Sequence, residues 1–285
     1  MLTLIFDEAA TRFGEVYHPE RPARLIRAEA YLLDKRPEWI WLKPRLATEE
    51  EVLRVHRPNH LERLRRPIDF DADTPYYPGI EEHARRAAGA AIGSVDLALR
   101  GRKGFSLMRP PGHHATSTRA MGFCYLNSIA IAAYYALATG CERVGIWDFD
   151  AHHGNGTEEI VFGYNRIRFT SIHQYPGYPG SGTTSRGNVF NWPIEPQSDA
   201  GQHASAVQRA LDALVEFNPD LLLVSAGFDA FSGDPLTEMN LEREHFAKFG
   251  RWLKETGLPA AAILEGGYSN HLPDLVEAFL VEWSD

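Results

Sequence analysis

The sequence has few cysteines, no basic block and no long apolar run. Cys124 and Cys141 are the only cysteines among 285 residues, too few for a disulfide-stabilised scaffold, and this usage suits a reducing compartment. Lysine and arginine total 29 against 38 acidic residues, which gives a net charge of -9. A nucleic-acid-binding surface therefore has no electrostatic support, and we expect no nucleic-acid partner.

Membrane and export signals are also lacking. The longest apolar run covers residues 129–138, whereas a transmembrane helix needs about 20 residues. The N-terminal segment has an acidic residue by position 7 and no basic stretch ahead of its apolar residues, which is not typical of a secretory signal. We therefore expect a soluble, cytoplasmic protein with no membrane partner.

The apolar residues predict one α/β domain over residues 1–285. No linker rich in proline, glycine or serine divides the chain, and short β-rich runs alternate with helical stretches. Several β-rich runs are apolar at nearly every position, as strands covered on both faces are. This pattern predicts a central, mainly parallel sheet with helices on both faces. The predicted strands are 2–6, 105–108, 143–147, 166–172, 221–225 and 260–264. The predicted helices are 23–33, 49–56, 80–99, 127–138, 204–216, 242–255 and 272–283.

Two predicted strands are followed by segments rich in histidine and aspartate. The segment RPPGHHA follows 105–108, and its prolines and glycine set a turn that presents His113 and His114. The segment DFDAHHGNG follows 143–147, and alternate side chains of an extended segment share a face, here Asp148, Asp150 and His152. Ligands of parallel sheets bind outside the carboxyl ends of the strands. These five residues are therefore candidates for one site.

Two further strand ends carry polar side chains. AGFDAFSGDP holds Asp229 and Asp234, and in EGGY two glycines let the backbone deliver Tyr268. Oxygen and imidazole donors without cysteine suit zinc or a similar divalent ion. Asp150 and His152 form a local pair, and Asp229 is the best placed third ligand. Three protein ligands leave an open coordination position, as a catalytic site needs.

Taken in order, these motifs resemble the zinc-dependent histone deacetylase family of the arginase-deacetylase superfamily. The resemblance covers most of the chain. Asn155 stands where class I members carry aspartate, so the sequence is closer to the class II branch. The motifs that carry the resemblance are HPERPARL, DADTPYYPG, RPPGHHA, GFCYLNSIA, DFDAHHGNGT, SIHQYPGYPGSG, SAGFDAFSGDPL and LEGGY.

The resemblance implies a zinc-dependent amide hydrolase, with zinc held by Asp150, His152 and Asp229. It implies catalytic roles for His113, His114, Tyr268, Asp148 and Asn155. Asp148 would orient His113 and Asn155 would orient His114, and either histidine could be the general base. Because His114 would face an amide rather than a carboxylate, we expect it to be the more readily neutral of the two and favour it as the base.

The resemblance also implies a narrow tunnel for the stem of an acyl-lysine side chain. Phe123 and Tyr178 would flank it, with Tyr178 standing where the family usually has phenylalanine, and the carbonyl of Gly122 would accept the substrate N–H. Leu236 follows the Gly-Asp-Pro turn, where the polyamine-selective branch has an acidic residue. An apolar group offers a cation no hydrogen-bond acceptor or opposite charge, and placing the cation beside it adds a desolvation cost. We therefore expect an acyl-lysine peptide or protein as substrate, with a small acetylated amine such as a polyamine as the alternative.

Asp148 and Ser171 resemble the family's inner potassium site. A binuclear manganese hydrolase would need a second aspartate where Gly154 stands, and an acyl-lysine-binding module without catalysis would commonly lose Tyr268; both alternatives are therefore disfavoured. The remaining histidines are expected at the surface or at helix ends: His56, His60, His83, His203, His245 and His271.

Overall fold

The computed structural model of the chain describes residues 2–284; Met1 and Asp285, the ends of the predicted domain, lie outside the described residues. In this range, eight strands form one sheet in the order β2-β1-β3-β8-β7-β4-β5-β6. Every neighbouring pair is parallel, which confirms the predicted α/β class with a sheet that is parallel throughout. The strands are β1 Leu2–Ile5, β2 Ile40–Leu42, β3 Lys103–Ser106, β4 Val144–Asp148, β5 Ile167–Gln174, β6 Val189–Ile194, β7 Leu221–Ala226 and β8 Ala260–Leu264.

Helices cover both faces of the sheet. One face packs against α1, α7, α8 and α9, and the other against α4 and α5. None of the helices in residues 2–284 is long and apolar enough to cross a membrane. The helices are α1 Ala23–Lys35, α2 Glu49–Leu53, α3 Pro58–Leu64, α4 Ile80–Ala98, α5 Ser128–Ala138, α6 Asn155–Val161, α7 Ala200–Glu216, α8 Arg243–Glu255 and α9 Leu272–Ser284, with a short 3-10 helix at Glu8–Thr11.

Strand β4 shows how burial on both faces places the functional residues. Val144 and Ile146 pack in the core beneath α4 and α5, whereas Trp147 packs in the core on the opposite face. The alternation follows from the two-residue period of a strand. Asp148 is the last residue of β4 and is fully buried, so the polar segment after it begins inside the protein, at the carboxyl edge of the sheet.

The beginning of α5 fixes the neighbouring loop. Asn127 caps the helix, since its side-chain oxygen accepts a hydrogen bond from the N–H of Ala130 at 2.9 Å. Its amide group donates to the carbonyl of Ala115 at 3.0 Å. A capping residue that also holds the segment directly after His114 connects the position of that loop to the start of a helix.

Three of the histidines expected at the surface or at helix ends are buried, although two of them, His60 and His203, do lie in the first turn of a helix. His56, His60 and His203 are buried rather than at the surface. His56 Nε2 accepts a hydrogen bond from the N–H of Asn127 at 2.9 Å, and His60 Nε2 donates to the carbonyl of Tyr125 at 2.8 Å. These two side chains satisfy backbone groups of a buried loop, and His203 lies on the core face of α7. His83 and His245 are half-buried, and His271 is exposed as expected.

Candidate active site

The loop after β3 presents His113 and His114, and both are buried. The N–H groups of Gly112 and His113 donate to Glu265 Oε2 at 2.6 and 3.2 Å. Glu265 follows β8, so this carboxylate joins two neighbouring strand ends. The main chain beside the two histidines is therefore fixed by hydrogen bonds to a buried acceptor.

Each histidine has its own partner. His113 Nδ1 lies 3.0 Å from Asp148 Oδ2, and His114 Nδ1 lies 2.8 Å from Asn155 Oδ1. Both partner atoms are oxygens that accept, so each Nδ1 carries the hydrogen. Nε2 of neutral His114 is then left with a lone pair. The two rings lie side by side, with centroids 4.0 Å apart.

The same pairing separates the two histidines electrostatically. Burial alone would lower the pKa of His113, but the carboxylates of Asp150 and Asp148 outweigh it and raise the pKa to about 10. Burial lowers the pKa of His114 well below its usual value, and the neighbouring His113 and His152 lower it further. His114 is thus the neutral member of the pair, the direction expected from its amide partner.

Asp150, His152 and Asp229 come together at the ends of β4 and β7. One ligand atom from each lies within 4.8 Å of the others. His152 Nδ1 lies 2.9 Å from Asp229 Oδ2 and 3.2 Å from Asp150 Oδ1. Both aspartates are fully buried. Burial would lower the pKa of His152, but the carboxylates of Asp229 and Asp150 hold it well above its usual value, so the group favours a positive charge at this point.

The geometry around this group fits a bound divalent cation. Asp229 Oδ1 accepts from the N–H of Ala151 at 2.8 Å, and Asp150 Oδ2 accepts from the N–H of Gly266 at 2.7 Å. These bonds orient the carboxylates while Asp229 Oδ2 and Asp150 Oδ1 face His152. A methyl group on Gly227 or Gly266 would collide with the carboxylates, so glycine at both positions keeps the space open. The residues could therefore hold a metal ion of the kind that oxygen and imidazole ligands select.

Tyr268 follows β8 and lines the same pocket as His114 and His152. Its ring is 5.7 Å from that of Phe123, and burial raises the pKa of its hydroxyl well above the usual value. Asp234 holds its main chain, because Asp234 Oδ2 accepts from the N–H groups of Tyr268 at 2.7 Å and Ser269 at 3.1 Å. A hydroxyl with a raised pKa keeps its proton and stays a hydrogen-bond donor.

One pocket of about 270 Å³ connects these groups to solvent. Its lining includes the four residues predicted for the substrate tunnel and rim. Gly122 has a φ of 57°, and a Cβ there would lie 2.6 Å from the His114 ring and 2.9 Å from the Tyr178 hydroxyl, so the position requires glycine. The lining residues are His18, Pro19, Asp73, His114, Gly122, Phe123, His152, Tyr178, Leu236 and Tyr268.

Sequence reasoning missed a buried ionic network behind Tyr268. The Arg109 guanidinium pairs with the Glu20 carboxylate, and Arg24 Nη1 lies 3.0 Å from Glu20 Oε1. Arg24 also donates to the carbonyl oxygens of Gly267 at 2.7 Å and Glu265 at 2.6 Å. Burial would raise the pKa of Glu20, but the two arginines outweigh it and lower it. The only signal available in the sequence was the charge density of HPERPAR.

Asp148 and Ser171, predicted to contribute to a potassium site, are neighbours across β4 and β5. Ser171 Oγ lies 2.9 Å from His173 Nδ1, and Asp148 Oδ1 accepts from the N–H of Asp150 at 3.1 Å. Nothing in these contacts tests the identity of an ion, so potassium at this position stays a prediction.

A parallel α/β sheet gathers an Asp-His-Asp group that could hold a metal ion, two histidines and a tyrosine at its carboxyl edge, and these are side chains that a hydrolase can use. The comparisons with known proteins are more specific. The profile of the histone deacetylase domain matches residues 18–282. The chain therefore belongs to the histone deacetylase family, as the motifs predicted, and is a deacetylase or related amidohydrolase.

Relatives within this family differ in what their names say about the substrate. A probable deacetylase of Methanothermobacter thermautotrophicus is 39% identical over 272 residues, covering 90% of this chain and 81% of the relative. Acetylpolyamine amidohydrolase 2 of Pseudomonas aeruginosa is 33% identical over 283 residues, covering 91% and 82%. The crystal structure of the HDA15 HD domain matches with a TM-score of 0.92 at 31% identity, over 99% of this chain and 88% of that one. One of these three proteins is thus named for polyamine substrates, whereas the names of the other two state no substrate.

Proposed function

We propose that this protein is a zinc-dependent amidohydrolase that removes acetyl or related acyl groups from the ε-amine of lysine in peptides or proteins. The observation that carries the proposal is the single pocket in which His114, His152 and Tyr268 meet beneath an apolar mouth formed in part by Phe123 and Leu236. A hydrolase of an amide on a long neutral stem needs both features.

In this proposal Asp150, His152 and Asp229 hold zinc. Bound there, zinc supplies Lewis-acid polarisation of the amide carbonyl and of a water molecule. Two carboxylates and one imidazole leave little net positive charge, so a positioned base has to assist. The proposal also includes a structural potassium ion near Asp148 and Ser171, based on their adjacency across two strands.

Proton transfer falls to the two histidines. His114 donates from Nδ1 to Asn155, so its Nε2 is free to take a proton from the attacking water. His113 donates from Nδ1 to Asp148, and this carboxylate stabilises a protonated ring that can give a proton to the leaving amine. We therefore assign His114 as base and His113 as acid.

Tyr268 supplies the remaining polar contact with the reacting group. Its neutral hydroxyl donates to the carbonyl oxygen as negative charge develops during attack. The Asp234 carboxylate fixes the main chain of Tyr268, so little reorganisation is needed at that moment, and preorganised donors of this kind stabilise transition states strongly.

Acetylated polyamines are the second candidate substrates, and one observation favours them. Asp73 lines the mouth of the pocket and is exposed, so its carboxylate could receive a distal ammonium. Leu236, at the same mouth, offers a cation no partner. A carboxylate exposed to water contributes little to binding, so we give the apolar wall the greater weight and place acyl-lysine first.

The test is a panel of substrates given to the purified, zinc-loaded protein. It contains acetyl, trifluoroacetyl and longer acyl-lysine peptides beside acetylated polyamines, and the readout is kcat/KM. We expect acyl-lysine peptides to be hydrolysed faster than acetylspermidine-type amides. Leu236→Glu should shift the ratio toward the polyamines, whereas Leu53→Glu, at a leucine with the same 37% exposure outside the pocket, should not.

Two results would contradict the substrate assignment. The first is a preference of the unaltered protein for acetylated polyamines. The second is a Leu236→Glu variant whose ratio is unchanged while its activity is retained. Equal loss on both substrates would show that Leu236 only packs the turn, and the assignment would lose its support.

A further inference from the structure

A second concavity of about 400 Å³ lies beside the acyl pocket and is polar rather than apolar. Its wall includes three arginines and one glutamate: Arg63, Arg66, Arg119 and Glu62. Arg66 Nη2 lies 3.9 Å from Glu62 Oε2, so this pair is close to neutral. Arg63 and Arg119 remain as net positive charges in a chain whose overall charge is -9.

The two remaining arginines differ in how they are held. Arg63 donates to the carbonyl oxygens of Ile68 and Asp69, both at 2.8 Å, and its guanidinium stacks 4.3 Å from the centroid of the Phe70 ring. Neutral partners of this kind fix the cation without cancelling its charge. Arg119 is exposed, and no carboxylate in residues 2–284 forms an ion pair with it. The concavity therefore presents one fixed and one uncommitted guanidinium.

The loop that carries Arg119 also lines the acyl pocket. Arg119 and Ala120 contribute to the basic concavity, and Gly122 and Phe123 contribute to the acyl pocket. Gly122 comes three positions after Arg119, so their Cα atoms are at most about 11 Å apart. Burial raises the pKa of the Tyr178 hydroxyl at the pocket mouth, and the charge of Arg119 opposes that rise. Arg119 is thus close to the entrance through which the substrate stem passes.

From this placement we propose that the basic concavity binds an acidic side chain of the substrate, within about three residues of the acylated lysine. The proposal rests on the lysine deacylation put forward above and adds a substrate class, acyl-lysine peptides with an adjacent glutamate or aspartate. An extended peptide advances about 3.3 Å per residue. Three residues therefore span about the same length as the upper limit on the separation of Arg119 from Gly122, and a planar guanidinium suits a carboxylate.

One carboxylate at the mouth gives the proposal a direction. Asp73 is exposed and lines the acyl pocket but not the basic concavity. Its carboxylate disfavours an acidic residue of the substrate beside it. The acidic residue of a good substrate therefore lies on the side of the acylated lysine that faces Arg119, and moving it to the other side weakens the effect.

The experiment measures kcat/KM for pairs of acetyl-lysine peptides that differ only by glutamate against glutamine, at each of three positions before and after the lysine. We expect a preference for glutamate of about three- to fivefold on one side of the lysine at low salt, falling as ionic strength rises. Arg119→Gln should remove the preference and Arg119→Glu should invert it. Because each variant is compared with itself, differences in folding or zinc content cancel in the ratio.

Arg100→Glu is the matched control. Arg100 is also exposed but precedes β3, at the opposite edge of the sheet, so this variant should keep the ratio of the unaltered protein. The inference is overturned if no position shows a preference for glutamate, or if the preference survives in Arg119→Glu. An absence of hydrolysis for every acetyl-lysine peptide would instead contradict the proposed function.

Discussion

Replacing Gly266 by alanine should damage the metal site without removing any ligand. The Gly266 N–H donates to Asp150 Oδ2 at 2.7 Å. A methyl group at this position would lie 2.6 Å from Asp150 Oδ2 and closer still to Asp229 Oδ2, whereas ordinary contact begins at 3.4 Å. The Asp150 carboxylate would have to move by about 0.8 Å, and functional sites tolerate about 0.5 Å.

The expected result is a loss of zinc affinity on the order of 100-fold. Altering the groups that orient metal ligands commonly costs 10- to 100-fold, and here both carboxylates are displaced. At a fixed excess of zinc, a 100-fold weaker site loses about 2.7 kcal/mol of metal-dependent stabilisation. The assays are competition against a chromophoric chelator and thermal unfolding with and without zinc.

Gly201→Ala is the control for this prediction. An added methyl at Gly201, in α7, meets only Asp199 Oδ1 at 3.0 Å, so zinc binding should match that of the unaltered protein. If Gly266→Ala binds zinc as tightly as the unaltered protein, the assignment of Asp150 and Asp229 as ligands is refuted.

Three other predictions follow from the same contacts. Tyr268→Phe should lower kcat about 10²- to 10³-fold with zinc binding retained, and the loss should be smaller for trifluoroacetyl-lysine. Near-full turnover would exclude the role of Tyr268 as a hydrogen-bond donor. Tyr31→Phe is the control for loss of a hydroxyl outside the pocket. Asp234→Asn leaves fewer acceptors for the N–H groups of Leu236, Tyr268 and Ser269. The free energy of unfolding should therefore fall by about 2 kcal/mol. Because the main chain of Tyr268 is then less well held, kcat should fall more than KM changes. An unchanged melting temperature and kcat would contradict this. Burial, with His245 nearby, lowers the pKa of His203 to about 4, below about 6.5 in the unfolded chain. Its contribution to stability is therefore present above pH 6.5 and is lost as pH falls toward 4. The free energy of unfolding, measured with urea, should fall by about 2 kcal/mol less in His203→Leu than in the unaltered protein between pH 7 and pH 5. An equal fall in both proteins would show that His203 does not titrate on unfolding.

The sheet was largely predictable because burial on both faces leaves a simple sequence signature. The uninterrupted apolar runs of β7 and β8 gave their bounds to within one residue. The polar segments after β4 and β7 were then placed at one edge by topology alone, which is why Asp150 and Asp229 could be paired across 79 positions of the chain.

Short and interrupted elements were missed for physical reasons. Strand β2 has three residues at one edge of the sheet, and β6 at the other edge contains Pro193. Proline and brief pairing are both tolerated at edges, where one ladder of hydrogen bonds is absent. Helix α6 begins directly after Gly154 and contains Gly156, so the segment has the composition of a loop.

Long-range polar pairing was beyond the reach of the sequence. Glu20 and Arg109 are 89 residues apart, and Arg24 donates to the carbonyl of Glu265 across 241 residues. Read from the sequence alone, a charged residue is expected to have a side chain exposed to solvent. Only the folded arrangement shows that these charges are paired and buried. The same limitation explains His56 and His60, whose backbone partners lie in a distant loop.

The central claim is that one divalent ion, held by Asp150, His152 and Asp229, is required for amide hydrolysis. The most direct measurement is elemental analysis of the protein as zinc is restored after removal by a chelator, with acetyl-lysine hydrolysis followed in parallel and Asp229→Ala treated in the same way. We expect activity to rise in proportion to zinc and to reach its maximum at one ion per chain, and the Asp229→Ala variant to hold little zinc and remain inactive. Full activity in the metal-free protein, or a maximum reached only at two ions per chain, would contradict the account.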